Sequence, residues 1–149
     1  MSLKIKSSRV IEDIVNENNE KIGIVSFDPE DAENYKKFLD LINIIEEYQK
    51  IDSELKVDEI PDFDLKSIEE FEKYRDSFNK IGVKLDNYLD MRTKIKNISD
   101  EIFGNVSEVF EKINKSLDPY LNLIEWASPY FKSKRTEKIN EYLDAEEVL

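Results

Sequence analysis

Pairs of carboxylates are the side chains in this 149-residue sequence whose types and spacing come closest to catalytic or metal-binding chemistry. Glu46 is followed by Glu47, and Glu69 is followed by Glu70. Two carboxyl groups can act as general acid and base, or hold a hard metal ion, when they are buried close together. Adjacent residues of a helix point in different directions, so we interpret both pairs as parts of solvated helix faces.

The residue types on which most catalytic sites depend are missing from the sequence. There is no Cys and no His, which excludes thiolate nucleophiles, imidazole bases and the zinc sites built on either. The three Gly residues are widely separated and cannot form a P-loop or a G-x-G-x-x-G turn. We therefore predict that the protein is not an enzyme and has no catalytic residues, no cofactor and no metal site.

Acidic residues dominate the charge of the sequence. Asp and Glu number 34 against 22 Lys and Arg, and the resulting net charge of −12 repels nucleic acids and anionic membranes. No segment approaches the about 20 apolar residues that span a bilayer, and the first residues lack the apolar run of a signal peptide. We expect a cytoplasmic protein with neither a nucleic-acid nor a membrane partner.

The strand pattern of the sequence lies in residues 10–27. Two runs rich in β-branched residues, 10–15 and 22–27, are separated by a polar segment whose Asn residues tolerate the left-handed backbone of a turn. The pattern predicts a β-hairpin, preceded by a polar tail at residues 1–9. Gly23 interrupts the second run, which indicates a bulge or a close backbone approach.

Helical periodicity begins directly after the hairpin. Asp28 followed by Pro29 predicts an N-cap and the first residue of a helix. Apolar residues then recur every three or four positions and predict a first helix at residues 28–57. These residues are Ala32, Tyr35, Phe38 or Leu39, Ile42, Ile45 and Tyr48. The acidic segment 58–64, which contains a Pro, is predicted to be a linker.

The longest apolar stripe follows the linker, within residues 65–104. Its members alternate by three and four positions, as in a helix that packs on a second helix. They are Phe71, Tyr74, Phe78, Ile81, Leu85 and Tyr88. Arg92 and Ser99 interrupt its continuation. We expect either one long helix or a pair joined by a kink near Gly82 or Arg92.

Start and stop signals divide the remainder of the chain, residues 105–149. Gly104 is predicted to end the long helix, and residues 105–108 resemble a capping box that opens the next one. Asp118 and Ser128 are each followed by Pro, which signals two further helix starts. The predicted fold is therefore a mainly α, single domain. It has a short N-terminal β-hairpin, a long-helix bundle and two or three short C-terminal helices.

The apolar stripe of the long helix needs a partner helix, from the same chain or from another molecule. Near the C-terminus, Trp126 is the only Trp, a residue type that serves both partly buried cores and interface anchors. Tyr130 and Phe131 follow it on the same predicted apolar faces. The candidate partner-binding residues are Phe71, Tyr74, Phe78, Ile81, Leu85, Tyr88, Trp126, Tyr130 and Phe131.

Two short motifs resemble those of a known protein family. Phe27-Asp-Pro-Glu-Asp-Ala-Glu-Asn-Tyr35 follows the hairpin, and Asp100-Glu-Ile-Phe-Gly104 follows a charged helical middle. Taken in this order along most of the chain, the pattern resembles small tail assembly chaperones. These belong to long-tailed phages and prophages of low-GC Gram-positive bacteria.

The resemblance implies a mostly helical protein that coats the tape-measure protein, helps to recruit tail tube protein subunits and leaves the finished tail. A chaperone for a long helical client needs exposed apolar stripes, high charge and self-association, and these requirements fit this sequence. We expect copies of the chain to associate with one another, through part of the apolar stripe. We expect the protein to act in the cytoplasm of the host cell. The alternatives are a structural component retained in the phage tail, or an acidic, host-directed inhibitor that imitates DNA.

Overall fold

The computed structural model describes the backbone of residues 1–54 and 68–148, and the side chains of residues 1–51, 69, 72 and 74–133. Its elements are β1 (Val10–Val15), β2 (Lys21–Phe27), α1 (Ala32–Glu54), α2 (Ile68–Phe103), α3 (Val106–Ile113) and α4 (Asp118–Val148). A mainly helical chain with an N-terminal antiparallel hairpin confirms the predicted fold class. The predicted linker at residues 58–64 lies outside the described residues. None of the helices, so far as they are described, has an apolar stretch long enough to cross a membrane.

Two compact units make up the chain. The first unit is formed by Met1–Ile42 and Lys96–Leu149, and it holds the hairpin, the beginning of α1, the end of α2, and α3 and α4. The second unit, Asn43–Ile95, holds the rest of α1 and α2.

The hairpin is closed by asparagines, as the sequence predicts. The side-chain oxygen of Asn16 accepts the backbone N–H groups of Asn18 at 2.9 Å and of Glu20 at 3.0 Å. Asn19 adopts a φ of 60°, in the left-handed region that Asn tolerates better than most residues. The turn therefore depends on side-chain hydrogen bonding and on backbone tolerance together.

Gly23 lies at a bulge and at a close approach. Ile14 is opposite Gly23, and the next pair is shifted so that Ile22 is an extra residue on β2. Val109 of α3 packs directly on Gly23, where an added Cβ atom would lie 2.7 Å from the Val109 Cγ2 atom. Only glycine allows the hairpin and α3 to pack this closely.

The start of α1 corrects the prediction made for Asp28. The helix begins at Ala32 and not at Pro29. Asp31 is its cap, because its Oδ1 atom accepts the backbone N–H of Glu33 at 2.8 Å. Asp28 instead closes the preceding turn by accepting a backbone N–H two residues further on, at 3.0 Å. The sequence therefore offers two aspartates three positions apart, Asp28 and Asp31, and the helix uses the second as its cap.

The buried side of α1 is formed by Phe38, Leu41, Ile45 and Tyr48. Of the two residues that the periodicity left open, Phe38 is buried and Leu39 is 44% exposed. Leu41 is fully buried although the predicted stripe did not include it. The helix is described as far as Glu54, and residues 55–57 of its predicted range lie outside the described residues.

α2 is a single element that continues through Gly82 and Arg92 without interruption. It ends as predicted, since Gly104 has a φ of 74° and donates its N–H to the Asp100 carbonyl at 3.0 Å. The predicted range began at residue 65, and residues 65–67 are not among those described.

α3 begins where the sequence predicts, but the predicted capping box does not form. Asn105 makes no side-chain capping hydrogen bond. The cap is Asp100, in the last turn of α2. Its Oδ1 atom accepts the Ser107 N–H at 2.8 Å and its Oδ2 atom accepts the Ser107 hydroxyl at 2.5 Å. A carboxylate placed by the preceding helix thus replaces the local box.

Replacing Asp100 by alanine should destabilise the protein by about 1–3 kcal/mol, because it removes a helix cap and leaves the buried Ser107 groups without an acceptor. The matched control is Glu108→Ala, which removes the acid of the predicted capping box. The Glu108 side chain is 74% exposed, and its loss should have little effect. Thermal unfolding measures both variants. Equal destabilisation by the two would contradict the assignment of the cap to Asp100.

α4 is one continuous helix, which corrects the predicted helix start at Ser128. Pro129 lies inside it. The Ser128 hydroxyl donates to the Ile124 carbonyl of the same helix at 2.7 Å and does not cap a new one. Proline inside a helix removes a backbone donor and crowds the carbonyl four residues earlier. The helix nevertheless continues, with Ala127 and Phe131 buried on either side of Pro129. The described C-terminal part therefore contains one short and one long helix, not two or three short ones.

Aromatic rings form the centre of the first unit. Phe27 is fully buried at the end of β2. Its ring centroid lies 5.1 Å from Phe103, 5.4 Å from Phe131, 5.8 Å from Tyr130 and 5.9 Å from Trp126. The hairpin, α2 and α4 therefore meet at one side chain.

Candidate protein-binding surfaces

A groove of about 1070 Å³ lies in the first unit between the hairpin and helices α3 and α4. Residues 12–18 of β1 and the hairpin turn form one wall, and the first half of α4, from Asp118 to Tyr130, forms the other. Small-molecule sites measure about 300–1,000 Å³, so this groove is large enough for a segment of protein chain.

The groove combines an apolar floor with an acidic rim. Apolar side chains from both strands and from α3 and α4 line it, including Val25, Phe110, Leu123 and Trp126. Four acidic residues also line it, namely Glu12, Asp13, Glu17 and Asp118. No Lys or Arg side chain of the described residues belongs to the lining. This arrangement favours a ligand that is both apolar and cationic.

The pleat of the hairpin determines which residues face the helices. Opposite residues of an antiparallel pair project to the same side, so Glu12 and Ile14 of β1 share a face with Val25 and Gly23 of β2. Gly23 packs on α3. The inner face of the hairpin is thereby held against the helices, and the groove opens beside it.

The three aromatic candidates of α4 occupy different environments. Phe131 is 1% exposed and stacks on Phe38 with ring centroids 4.3 Å apart, so it belongs to the core of the first unit. Trp126 is 37% exposed and lines the groove, while its ring also contacts Phe27. Tyr130 is half-buried and lines the groove as well. Trp126 and Tyr130 are therefore accessible to a partner, and Phe131 is not.

The predicted stripe of α2 is partly covered within the second unit. Tyr74, Phe78, Ile81 and Tyr88 are half-buried. Tyr48 of α1 contacts Tyr88, with ring centroids 4.9 Å apart. Leu85 remains 44% exposed. The side chain of Phe71 is not among those described.

Leu89 adds an exposed apolar residue that the sequence analysis missed. It is 54% exposed and lies one helical turn after Leu85, on the same side of α2. We call Leu85 and Leu89 the exposed row. Val83, which is 61% exposed, lies about 120° around the helix from Leu89. Leu89 directly follows Tyr88 of the stripe, and this position next to the stripe was the sequence signal that could have identified it.

Comparisons with known proteins find no relative. No protein-family model, no curated protein and no solved structure matches the chain. The two surfaces are therefore interpreted from their own geometry and charge.

The groove offers apolar side chains and carboxylates, and the exposed row offers apolar contact. Within the described part of the chain, no three Asp or Glu side chains are grouped closely enough to hold a metal ion. Glu46 and Glu47 are exposed on α1, and the side chain of Glu70 is not described. The chemistry that this geometry supports best is the binding of another protein.

Proposed function

We propose that the chain is a tail assembly chaperone of a long-tailed phage or prophage. In this proposal it binds the tape-measure protein in the host-cell cytoplasm and helps to recruit tail tube protein subunits, without catalysis. The observation that carries the proposal is the exposed row, which lies beside the half-buried aromatic stripe of α2. A helix with this surface can accept the apolar stripe of a second helix along its length.

The strength of such a contact suits a chaperone. Full burial of a leucine contributes about 1.5–3 kcal/mol, and each residue of the exposed row has roughly half of its side chain left to bury. One copy would then bind weakly. Many copies along a long client would bind firmly if they were linked to one another, because each further contact becomes intramolecular. A weak contact per copy also allows the chaperone to be released.

The motif Asp100–Gly104, which resembles a motif of tail assembly chaperones, has a role in the fold. It is not part of the proposed client site. Asp100 caps α3, Ile102 and Phe103 are buried, and Gly104 ends α2. These residues form the junction between two helices. The proposal therefore places the client contact on α2, about four turns before this junction.

Co-expression tests the proposal. The probe is the long coiled-coil protein encoded beside the gene for this chain. Tagged chain should co-purify with the probe and increase the amount of soluble probe, because it masks apolar stripes that otherwise aggregate. An unrelated coiled-coil protein of similar length is the control and should not co-purify. The proposal fails if no such neighbouring gene exists, or if the probe is equally soluble and unbound in the presence of the chain.

A further inference from the structure

The first six residues have the alternating pattern of a β-strand, but their apolar side chains are exposed. Met1, Leu3 and Ile5 alternate with Ser2, Lys4 and Lys6. Leu3 is 86% exposed and Ile5 is 84% exposed. Strict alternation of apolar and polar residues is typical of a strand that packs one face on an apolar surface and exposes the other.

The groove follows a free strand edge. β1 pairs with β2 along one edge, and the described residues include no strand on the other. Glu12, Asp13, Ile14 and Val15 all line the groove. Because successive residues of a strand point to opposite faces, a groove lined by four in succession runs along the edge of β1. The unpaired backbone groups of such an edge can bind an additional strand.

We propose that residues Met1–Lys6 of a second copy of this chain add to β1 as a strand in this groove. The apolar face of the added strand lies on Trp126, which is 37% exposed, and its backbone pairs with the edge of β1. Each copy then donates one segment and accepts one. This contact between copies does not involve the exposed row, so it goes beyond the proposed function and does not rest on it.

Charge complementarity favours this occupant. Residues 1–9 contain three cations, Lys4, Lys6 and Arg9, and no acid, in a chain whose net charge is −12. The groove has an acidic rim and no cation among its described lining residues. Lys21 pairs with Asp13 at 3.4 Å, but both side chains are more than half exposed, which leaves Asp13 accessible to a second cation. Residues that neighbour each other across a sheet share a face, so Lys4 and Lys6 lie beside Asp13 on the outer face when the apolar residues face the helices.

Hydrogen bonds at the start of β1 direct the segment of the same copy away from its own groove. Ser8 Oγ donates to Asp28 Oδ1 at 2.7 Å, and the Arg9 guanidinium donates to Ser26 Oγ at 3.0 Å. These bonds hold residues 8 and 9 beside the end of β2, beyond Val10, whereas the groove extends from Glu12 toward the turn. The segment could fill its own groove only by reversing and breaking both bonds. A second copy can donate it without that change.

Sedimentation velocity and Trp126 fluorescence, measured on the full chain over a range of concentrations, test this contact. Trp126 is the only Trp and lines the groove, so its emission reports on the occupant. We expect the sedimentation coefficient to rise and the emission to shift to shorter wavelength over the same concentrations. An emission that is independent of concentration, with a monomer throughout, would overturn the proposal. It would indicate an empty groove or one filled by the segment of the same copy.

Reversing the charges on the added strand and on the groove tests which residues of the two lie beside each other. Lys4→Glu/Lys6→Glu and Asp13→Lys/Glu17→Lys should each weaken association by tenfold or more, and the four changes together should restore it to within a few-fold of wild type. Lys36→Glu/Lys94→Glu alters exposed cations elsewhere by the same charge and should associate as wild type. Circular dichroism checks that each variant is folded.

The same assay separates this contact from client binding. Leu89→Asp, a change in the exposed row, should leave association between copies intact. If Lys4→Glu/Lys6→Glu associates as wild type, the strand contact is wrong even when the client still binds. If the Asp13→Lys/Glu17→Lys variant loses the client but keeps association, the groove belongs to the client and not to a second copy.

Discussion

Phe27→Ala should lower the free energy of unfolding by about 3–5 kcal/mol, the largest effect that we expect from a single substitution. Phe27 is fully buried, and its ring contacts rings from α2 and α4. Truncation removes these contacts and leaves a cavity at the point where the hairpin meets the helices. Because domains are stable by only about 5–15 kcal/mol, the variant should be close to unfolding at room temperature.

Urea unfolding followed by circular dichroism measures this loss. Ile11→Ala, on the outer face of the same hairpin, is the matched control. Ile11 is 61% exposed, so the change should cost less than about 0.5 kcal/mol. Phe27→Leu, which keeps much of the apolar volume, should lie between the two. A Phe27→Ala variant as stable as Ile11→Ala would show that the hairpin is not anchored through this ring.

Leu89→Asp should weaken binding of the tape-measure probe by tenfold or more without unfolding the chain. Leu89 is 54% exposed in the free protein, so an aspartate there remains solvated. In the complex, the substitution loses apolar contact and places an unpaired carboxylate against the apolar stripe of the client. Leu85→Asp should act in the same direction.

Val83→Asp is the matched control for Leu89→Asp. It introduces the same charge into the same helix, at a residue that is 61% exposed and lies about 120° around the helix from Leu89. Isothermal titration with the probe should give wild-type affinity for Val83→Asp. If the two variants lose affinity equally, a general effect of added charge would explain the result and the exposed row would not be the client site.

Local signals in the sequence predicted those elements whose hydrogen bonds are local. The Asn residues of the hairpin turn and the glycine at position 104 satisfy backbone geometry at their own positions, so their roles could be recognised. The cap of α3 could not, because Asp100 reaches it from the preceding helix. The Ser128-Pro129 signal failed because it is local, whereas Ala127 and Phe131 on either side of Pro129 are buried by contacts that the local sequence does not reveal.

The candidate surfaces were predictable to different degrees. The stripe of α2 follows from periodicity, but periodicity cannot show that α1 covers Tyr88 and leaves Leu85 exposed. The groove as a whole gave no signal, although Trp126 and Tyr130, which line it, were among the predicted partner-binding residues. Its residues come from β1, β2, α3 and α4, and only the folded chain brings them together. Phe131 and Trp126 likewise resemble each other in sequence and differ in burial.

The most direct test of client binding through α2 uses a single thiol. The chain has no Cys, so Leu89→Cys and Val83→Cys each provide one alkylation site, and the two sites lie about 120° apart around the helix. The rate of alkylation is measured with and without a saturating amount of the tape-measure probe. The proposal predicts that the probe slows alkylation of the Leu89→Cys variant at least several-fold and leaves the Val83→Cys variant unchanged. Equal rates with and without the probe at Leu89→Cys, under conditions where the complex forms, would contradict it.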